Sequence, residues 1–342
     1  MHLGLIGLGK MGGNMRERIR SAGHTVVGYD RAPRLSDVKT LKAMVAKLPA
    51  PRVVWVMVPA GAATDETITE LAGLLSKGDL VVDGGNTKFT DDIRHAQELD
   101  GKGIGFVDCG VSGGIWGLDN GYGLMCGGDA DHVKMVMPIF DALRPKGPRG
   151  EGFVHSGDVG AGHYVKMVHN GIEYGLMQAY AEGFELLLAK DIVKDVPGSF
   201  KAWTRGTVVR SWLLDLLVLA LKDDPTLAQL ESYVDDSGEG RWTVLDSLEL
   251  GVPAPVITLS VQMRLRSQQE VSYAGKMLSA MRRAFGGHAV KKIDEAAKTV
   301  TVQEVQPGSA PEAALNTDAP AVPAHDEARQ LGETGKERVT GD

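Results

Sequence analysis

The sequence predicts an α/β protein in which a doubly wound sheet is followed by an all-α helical domain. Short apolar runs alternate with helical stretches in the first half, as expected for parallel strands that are covered on both faces. From residue 160 onward only helical periodicity remains. We therefore expect domains at residues 1–157 and 158–290.

The first strand leads into a glycine-rich turn. The apolar run Leu3 to Leu8 contains the start of Gly7-Leu-Gly-Lys-Met-Gly12, and a predicted helix from Asn14 to Ser21 follows. Between a strand and a helix, this spacing is typical of a Rossmann-type dinucleotide site, because the glycines allow a tight turn and let a pyrophosphate approach the helix N-terminus. The candidate cofactor residues here are Gly7, Leu8, Gly9, Met11 and Gly12.

A second apolar run, residues 25–29, ends at Asp30. A carboxylate at this position can hold a ribose hydroxyl and repels a 2′-phosphate, which favours NAD over NADP. Arg31, the next residue, offers a phosphate partner, so NADP remains the less favoured alternative. The alternative is that Asp30 is an ordinary acidic residue in the turn at the end of a strand and binds no cofactor.

Three further apolar runs, residues 52–59, 80–83 and 105–108, precede polar or glycine-rich loops. Ligands bind beyond the carboxyl ends of strands in doubly wound sheets, so we expect these loops to converge on the Gly7 turn. Taken alone, each loop is a simple turn. Together they add Val58, Pro59 and Asn86 to the cofactor candidates.

The helix that opens the second half carries polar side chains on one stripe. At 100° per residue, Lys166, His169, Asn170, Glu173 and Tyr174 share one face, which predicts a pocket wall. The alternative is a solvated face with a Lys/Glu pair. The opposite face is apolar or small and suits packing against another helix; it comprises Val168, Ile172, Gly175, Leu176, Ala179 and Gly183.

Further helical periodicity covers residues 199–221, 227–233 and 254–285. Within it, Arg210, Arg241 and Arg282 suit bidentate recognition of phosphate or carboxylate, and surface charges are the alternative. Residues 291–342 are rich in Ala, Pro, Glu and Thr and predict a disordered tail, with a stray strand at 299–305.

The composition excludes several classes of protein. The chain has 342 residues and a net charge of −7, with no basic block, so no nucleic-acid partner is expected. Its two cysteines, Cys109 and Cys126, form neither a disulfide framework nor a metal cluster. The N-terminus lacks the features of a signal peptide, and the run Leu213 to Leu221 is too short for a membrane span. We expect a cytoplasmic protein without a metal or a membrane partner.

Five motifs follow one another along the chain: Gly7-Leu-Gly-Lys-Met-Gly, Asp83-Gly-Gly-Asn86, Gly110-Val-Ser112-Gly-Gly114, residues 160–174 and Phe285-Gly-Gly-His288. With these motifs in this order, the chain resembles the 6-phosphogluconate dehydrogenases, within the wider β-hydroxyacid dehydrogenases, over about residues 1–289. In this resemblance the His-Asn-x-x-Glu-Tyr part, from His169 to Tyr174, is particular to enzymes acting on 6-phosphogluconate.

The resemblance implies oxidative decarboxylation of 6-phospho-D-gluconate to D-ribulose 5-phosphate and CO2 with reduction of NAD, in the pentose phosphate pathway. It implies catalytic roles for Lys166, Glu173, Asn170 and His169. The implied substrate residues are Asn86, Ser112, Gly113, Gly114, Lys166, His169, Asn170, Glu173, Tyr174, Arg210, Arg241, Thr243, Arg282 and His288. A homodimer or homotetramer is implied, with Arg282 and His288 acting across the interface.

The chain resembles the shorter, NAD-preferring form, and it departs from the family pattern in three places. Arg241 stands where many longer members have a lysine. The segment from Asp30 to Leu41 leaves little room for a helix and a third strand, and the tail after Val290 has no counterpart. Two alternatives stay open. One is another β-hydroxyacid dehydrogenase, acting on a 3-hydroxyisobutyrate or tartronate type of acid, and the other is a non-catalytic dinucleotide-binding protein.

Overall fold

The computed structural model describes residues 1–286, 289–294 and 299–303. Contacts between Cα atoms separate the chain into two units, Met1–Gln269 and Glu270–Asp342. The first unit contains both the sheet and the helices that carry the predicted site. The predicted domain boundary near residue 157 lies inside this unit, because the helix that follows the sheet packs directly against strands of it.

Seven strands form one sheet in the first unit, and the doubly wound prediction is confirmed. The strands are β1 (His2–Ile6), β2 (Thr25–Tyr29), β3 (Val53–Val56), β4 (Leu80–Asp83), β5 (Gly105–Ser112), β6 (Gly123–Gly128) and β7 (Phe153–Gly157). Their order is β2-β1-β3-β4-β5-β6-β7, and β6 runs antiparallel to β5 while the other neighbouring pairs are parallel. The crevice between β1 and β3 is a topological switch point, where ligands bind in such sheets.

Six helices accompany the sheet and cover both of its faces. They are α1 (Lys10–Ser21), α2 (Leu41–Val45), α3 (Ala62–Leu74), α4 (Phe89–Asp100), α5 (Gly117–Asn120) and α6 (Ala130–Leu143). Alternate strand residues enter two separate apolar clusters, one with Leu5 and Trp55 and the other with Ile6 and Val54. Because side chains alternate along a strand, these clusters lie on opposite faces, which explains the near-continuous apolar runs.

Residues 31–40 contain neither a helix nor a strand, so β2 is the edge of the sheet. This agrees with the short segment that the sequence shows after Asp30. The carboxylate of Asp37 ties the segment down by accepting hydrogen bonds from the N–H of Gly28 (2.7 Å) and from Arg20 (2.6 Å).

Five helices complete the first unit, and the helical second half is confirmed. They are α7 (Ala161–Leu188), α8 (Val196–Trp203), α9 (Trp212–Asp223), α10 (Glu239–Glu249) and α11 (Pro255–Ser267). The predicted helix at 199–221 is two helices, because Ser211 caps a new helix by accepting a hydrogen bond from the N–H of Leu214 (3.1 Å). The predicted helix at 227–233 is wrong: Leu227 has φ 54°, and residues 224–238 contain turns and bends but no helix.

The second unit contains, in its described part, α12 (Tyr273–Gly286) and the antiparallel strands β8 (Val290–Asp294) and β9 (Thr299–Gln303). The stray strand predicted at 299–305 corresponds to β9. Among the described residues, no helix combines the length and apolarity needed to cross a bilayer.

Candidate active site

The N-terminus of α7 is held on the sheet by one buried carboxylate. Asp108 on β5 accepts hydrogen bonds from the backbone N–H of Gly160 and of His163, each at 2.7 Å. A helix N-terminus has unpaired N–H groups and a positive partial charge, so an anion there is favourable. Gly160 has φ 93°, a left-handed conformation that a glycine adopts readily.

Two glycines let α7 lie directly against the strands. A Cβ atom on Gly162 would come within 2.5 Å of the carbonyl oxygen of Met125, and one on Gly110 would come within 2.8 Å of the Cγ atom of Lys166. The helix therefore carries Lys166 to the end of β5. The Gly-x-Gly spacing before this helix predicted such a close approach.

Lys166 is the first member of a hydrogen-bonded chain across the site. Its Nζ donates to Oδ1 of Asn170, whose Nδ2 donates to Oε1 of Glu239 at 2.9 Å. Asn86 donates to the same Glu239 oxygen. Burial lowers the pKa of Lys166, while the charges of Glu239 and Glu173 oppose that shift. A partly desolvated amine of this kind is suited to accept a proton.

Asn86 is placed by the buried carboxylate of Asp83 at the end of β4. Asp83 accepts hydrogen bonds from the N–H of Gly85 (2.9 Å) and the hydroxyl of Thr87 (2.7 Å), the residues on either side of Asn86. These two bonds hold the loop on both sides of Asn86, whose amide group donates to Glu239 of α10.

One cavity of about 1690 Å³ joins the glycine turn, the loops after β3, β4 and β5, and the polar stripe of α7. This volume exceeds that of a typical single small-molecule site, roughly 300–1,000 Å³, and can hold two ligands. The predicted site residues that line it are Gly7, Gly9, Met11, Gly12, Asp30, Arg31, Val58, Pro59, Asn86, Ser112, Gly113, Gly114, Lys166, His169, Asn170 and Glu173.

The glycine turn has the shape that a dinucleotide needs. Gly7 has φ 87°, and a Cβ on Gly12 would clash with the backbone of Gly7, so both positions require glycine. A Cβ on Gly9 would meet no atom within 4 Å, which leaves open space over the N-terminus of α1. These features fit a pyrophosphate at the helix N-terminus.

Asp30 directly follows β2 and lies beside the glycine turn. Its carboxylate is oriented by hydrogen bonds from the N–H of Leu8 and of Ala32, both at 2.7 Å. The Leu8 side chain itself is buried in the core and does not line the cavity. Arg31 forms an exposed ion pair with Glu66 at 2.9 Å, so its guanidinium already has a partner.

Four residues predicted to hold a phosphate do not line the cavity. Tyr174 and Thr243 are buried between α7 and α10, where the Tyr174 hydroxyl contacts Ser237 (2.8 Å). Arg241 is paired with Asp236 at 2.5 Å. Arg210 is exposed and directly precedes the lining residues Ser211 to Leu213. Arg282 lies on α12 in the second unit, and His288 lies outside the described residues.

The apolar face of α7 differs in part from the expectation. Gly175 does approach another helix, since a Cβ there would lie 3.3 Å from Val256 of α11. Ile172 and Leu176, however, are 54% and 43% exposed and line the cavity with Val168. The helix therefore presents apolar as well as polar side chains to the site.

The lining residues that the sequence analysis did not assign to the site include Glu66, Trp212 and Glu239. Glu239 had a signal in the Gly-Glu-Gly spacing at residues 238–240, because flanking glycines permit a close helix contact. Glu66 and Trp212 are ordinary helix residues in sequence, and their role depends on the folded arrangement.

A buried ionisable pair lies behind the site. His163 contacts Asp92 of α4 at 2.7 Å, with Asp83 and Asp108 nearby. Burial acts to lower the pKa of His163, but these carboxylates raise it to about 9, and burial raises the pKa of Asp92 to about 7. Asp92 is also grouped with Asp83 and His95 at distances compatible with a metal ion. The expectation of no metal stays a prediction.

Comparison with protein families matches two models to the chain. One is described as the NAD binding domain of 6-phosphogluconate dehydrogenase and covers residues 2–146. The other is the 6-phosphogluconate dehydrogenase C-terminal domain, at residues 162–274.

Individual relatives are similar over most of the chain. An NAD(+)-dependent, decarboxylating 6-phosphogluconate dehydrogenase of Haloferax volcanii is 39% identical over 305 residues, which are 86% of this chain and 100% of that protein. A decarboxylating 6-phosphogluconate dehydrogenase of Lactococcus lactis is 38% identical over 89% of this chain and 70% of its own length.

Among solved structures, the 6-phosphogluconate dehydrogenase of Plasmodium falciparum has a TM-score of 0.72 and 28% identity, covering 84% of this chain. The chain spans 65% of that protein, which was solved in its apo form, with NADP+ and with 6-phosphogluconate.

Proposed function

Because the chain belongs to the 6-phosphogluconate dehydrogenase family, we propose that it converts 6-phospho-D-gluconate to D-ribulose 5-phosphate and CO2 with NAD as the oxidant. The observation that carries this proposal is the partly desolvated amine of Lys166, which opens to the same cavity as the Gly7–Gly12 turn. An oxidation by hydride transfer needs a base and a dinucleotide at one site.

The cofactor end fits a dinucleotide whose ribose carries no 2′-phosphate. Gly9 and the N-terminus of α1 would hold the pyrophosphate, and Asp30 would hold the adenosine ribose. Val58, Pro59 and Asn86 would flank the nicotinamide, which accepts a hydride from C3 of the substrate when it is bound. The carboxylate of Asp30 and the pairing of Arg31 with Glu66 support NAD over NADP.

Lys166 takes the proton from the C3 hydroxyl while that carbon loses its hydride. The product is a β-keto acid, in which the C1–C2 bond breaks and its electrons pass to the C3 carbonyl as CO2 leaves. Protonated Lys166 stabilises the developing enolate oxygen and returns its proton to it. An ammonium thus performs the polarising step for which other enzymes use a metal.

Glu173 completes the reaction from the same stripe of α7. As an acid it protonates the carbon that lost CO2, while Lys166 takes back the enol proton, and a ketone results. Ser112, Gly113, Gly114, Asn86, His169 and Asn170 would bind the carboxylate and the upper hydroxyls of the substrate, since they line the cavity around Lys166.

The phosphate end is proposed from the family resemblance. Tyr174, Arg210, Arg241 and Thr243 would take this role after local rearrangement, since none of them lines the cavity. Arg282 and His288 would act from a second subunit in a homodimer or homotetramer.

The two cysteines, both free and buried, support a cytoplasmic location.

Two alternatives are less favoured. Another β-hydroxyacid dehydrogenase would keep Ser112, Lys166 and Asn170 but has no need for Glu173. A non-catalytic dinucleotide-binding protein has no need for Lys166 or for the hydrogen-bonded chain that holds it.

Reduced-cofactor absorbance and CO2 release would test the proposal with 6-phosphogluconate and either NAD or NADP. We expect turnover with NAD and a loss of about 10²–10⁴-fold in Lys166→Met, which removes the base. NAD binding by this variant, followed by calorimetry, is the control. The absence of turnover with both cofactors, in folded protein that binds NAD, would contradict the proposal.

A further inference from the structure

Glu239 is a buried carboxylate in the site to which the sequence assigned no role. It is the first residue of α10, follows Gly238 with φ 103°, and is 5% exposed. The positive partial charge of a helix N-terminus favours a carboxylate at this position.

Two small contacts bring α10 close enough for Glu239 to reach α7. A Cβ on Gly171 would lie 3.1 Å from the hydroxyl oxygen of Thr243, and a Cβ on Gly240 would lie 2.5 Å from the Tyr174 ring. Thr243 also donates a hydrogen bond to the carbonyl oxygen of Met167 at 3.0 Å. The position of Glu239 is thus fixed by helix packing on both sides.

One oxygen of Glu239 determines how two amides are oriented. Oε1 accepts hydrogen bonds from Nδ2 of Asn86 and Nδ2 of Asn170. Each amide is therefore turned with its NH2 group toward Glu239, which leaves Oδ1 of Asn170 for Lys166. Each NH2 group has a second N–H, which remains for a ligand.

The second oxygen and the charge of Glu239 are not used by these bonds. Oε2 is buried and has no hydrogen-bond partner among the described residues. The charged groups facing Lys166 are Glu173 from α7 and Glu239 from α10, while β5 presents Gly110 to it and His169 contacts Oδ1 of Asn170. An ammonium formed in a desolvated site needs an opposite charge.

We propose that Glu239 is a positioning residue, which fixes the amides of Asn86 and Asn170 with one oxygen and supplies the counter-charge for protonated Lys166. The inference rests on the proposed function for the identity of the reaction. It adds a residue of α10 that joins the loop after β4 to α7, so a single carboxylate holds both amides and, through Asn170, the base.

Two variants separate the two parts of this role. Glu239→Gln keeps an oxygen that can accept both N–H groups but has no charge. Glu239→Asp keeps the charge but is one methylene too short to reach both amides. Glu249→Gln, an exposed residue at the other end of α10, is the matched control.

The ionisation of Lys166 can be measured without turnover by its rate of acetylation with acetic anhydride at a series of pH values, read by mass spectrometry. We expect the midpoint in Glu239→Gln to fall by about 1 pH unit, because an opposite charge nearby raises the pKa of an amine by this order. In Glu239→Asp we expect an unshifted midpoint and a KM for 6-phosphogluconate about 10-fold higher, from a lost hydrogen bond.

An unchanged midpoint in Glu239→Gln, or an unchanged KM in Glu239→Asp, overturns the proposal. If Glu239→Gln does not fold by circular dichroism, the KM of Glu239→Asp decides alone. If the wild-type protein does not oxidise 6-phosphogluconate, the proposed function fails while the acetylation midpoint still tests the counter-charge.

Discussion

Gly110 on β5 lies directly beneath Lys166 on α7: a Cβ atom at residue 110 would approach Cγ of the lysine to 2.8 Å. The aliphatic part of the Lys166 side chain therefore packs directly against the backbone of Gly110. A strand residue without a side chain sets the height of the amine above the sheet.

Gly110→Ala should displace Lys166 and reduce kcat/KM for 6-phosphogluconate by about 10²-fold, the order expected for a base misplaced by roughly 1 Å. Steady-state kinetics measure this loss, and calorimetry should show unchanged NAD binding. Gly73→Ala is the matched control, since a Cβ there meets no atom within 4 Å. Equal kinetics for the two variants would rule out the role of Gly110.

Asp30→Ser should reverse part of the cofactor preference. The variant loses the carboxylate that would bind the ribose and repel a 2′-phosphate, so we expect kcat/KM for NAD to fall by about 10-fold or more while that for NADP rises. Adding Glu66→Gln should raise NADP use further, because it releases Arg31 from its ion pair. The prediction fails if the NAD/NADP ratio of kcat/KM does not change.

Glu173→Gln should leave oxidation and decarboxylation possible but remove the acid that protonates the carbon that lost CO2, which becomes C1 of ribulose 5-phosphate. We expect a lower kcat and a loss of stereospecific deuterium incorporation at C1 of ribulose 5-phosphate in D2O, since solvent would then supply the proton. NMR of the product measures how much deuterium occupies each of the two positions at C1. Fully stereospecific product from the variant would assign this proton to another residue.

His163 should make the stability of the protein depend on pH. Its pKa is raised from 6.5 to about 9, so its contribution to the free energy of unfolding is complete below pH 6.5 and is lost as the pH rises through about 9. The pKa of Asp92 is raised from 3.8 to about 7, so its contribution to the free energy of unfolding is likewise complete below pH 3.8 and is lost as the pH rises through about 7.

Thermal melts of wild type and His163→Gln should therefore converge between pH 6.5 and pH 9, with a change of about 2–4 °C in Tm for each kcal/mol lost. His2→Gln, an exposed histidine on β1, is the control. A difference in Tm between wild type and His163→Gln that is constant across this range would show that the pair does not titrate as described.

Local patterns predicted the glycine turn after β1 and, apart from Tyr174, the residues of the α7 stripe that line the cavity. The glycine spacing predicts the turn at Gly7, and helical periodicity places Lys166 and Glu173 on one face, because both depend only on neighbours in sequence. β6 was not predicted: its segment Gly123–Gly128 contains three glycines, and its strand character depends on pairing with β5.

Contacts between distant segments could not be inferred in the same way. Glu239 meets Asn86 and Asn170 because α10 packs against α7 through Gly171 and Gly240, a relationship that no local pattern contains. For the same reason Tyr174, assigned to the stripe by its spacing, is buried against α10 and does not face the cavity.

The length of α7 has a mechanical consequence. It is one uninterrupted rod of 28 residues, about 42 Å long, anchored by Asp108 at one end and by the cluster around Phe200 at the other. Because α7 is fixed at both ends, it provides no hinge between the sheet and the helices of the first unit. We expect ligand entry and product release to depend on movements of side chains at the rim of the cavity, such as Trp212, rather than on a hinged opening of the sheet against the helices.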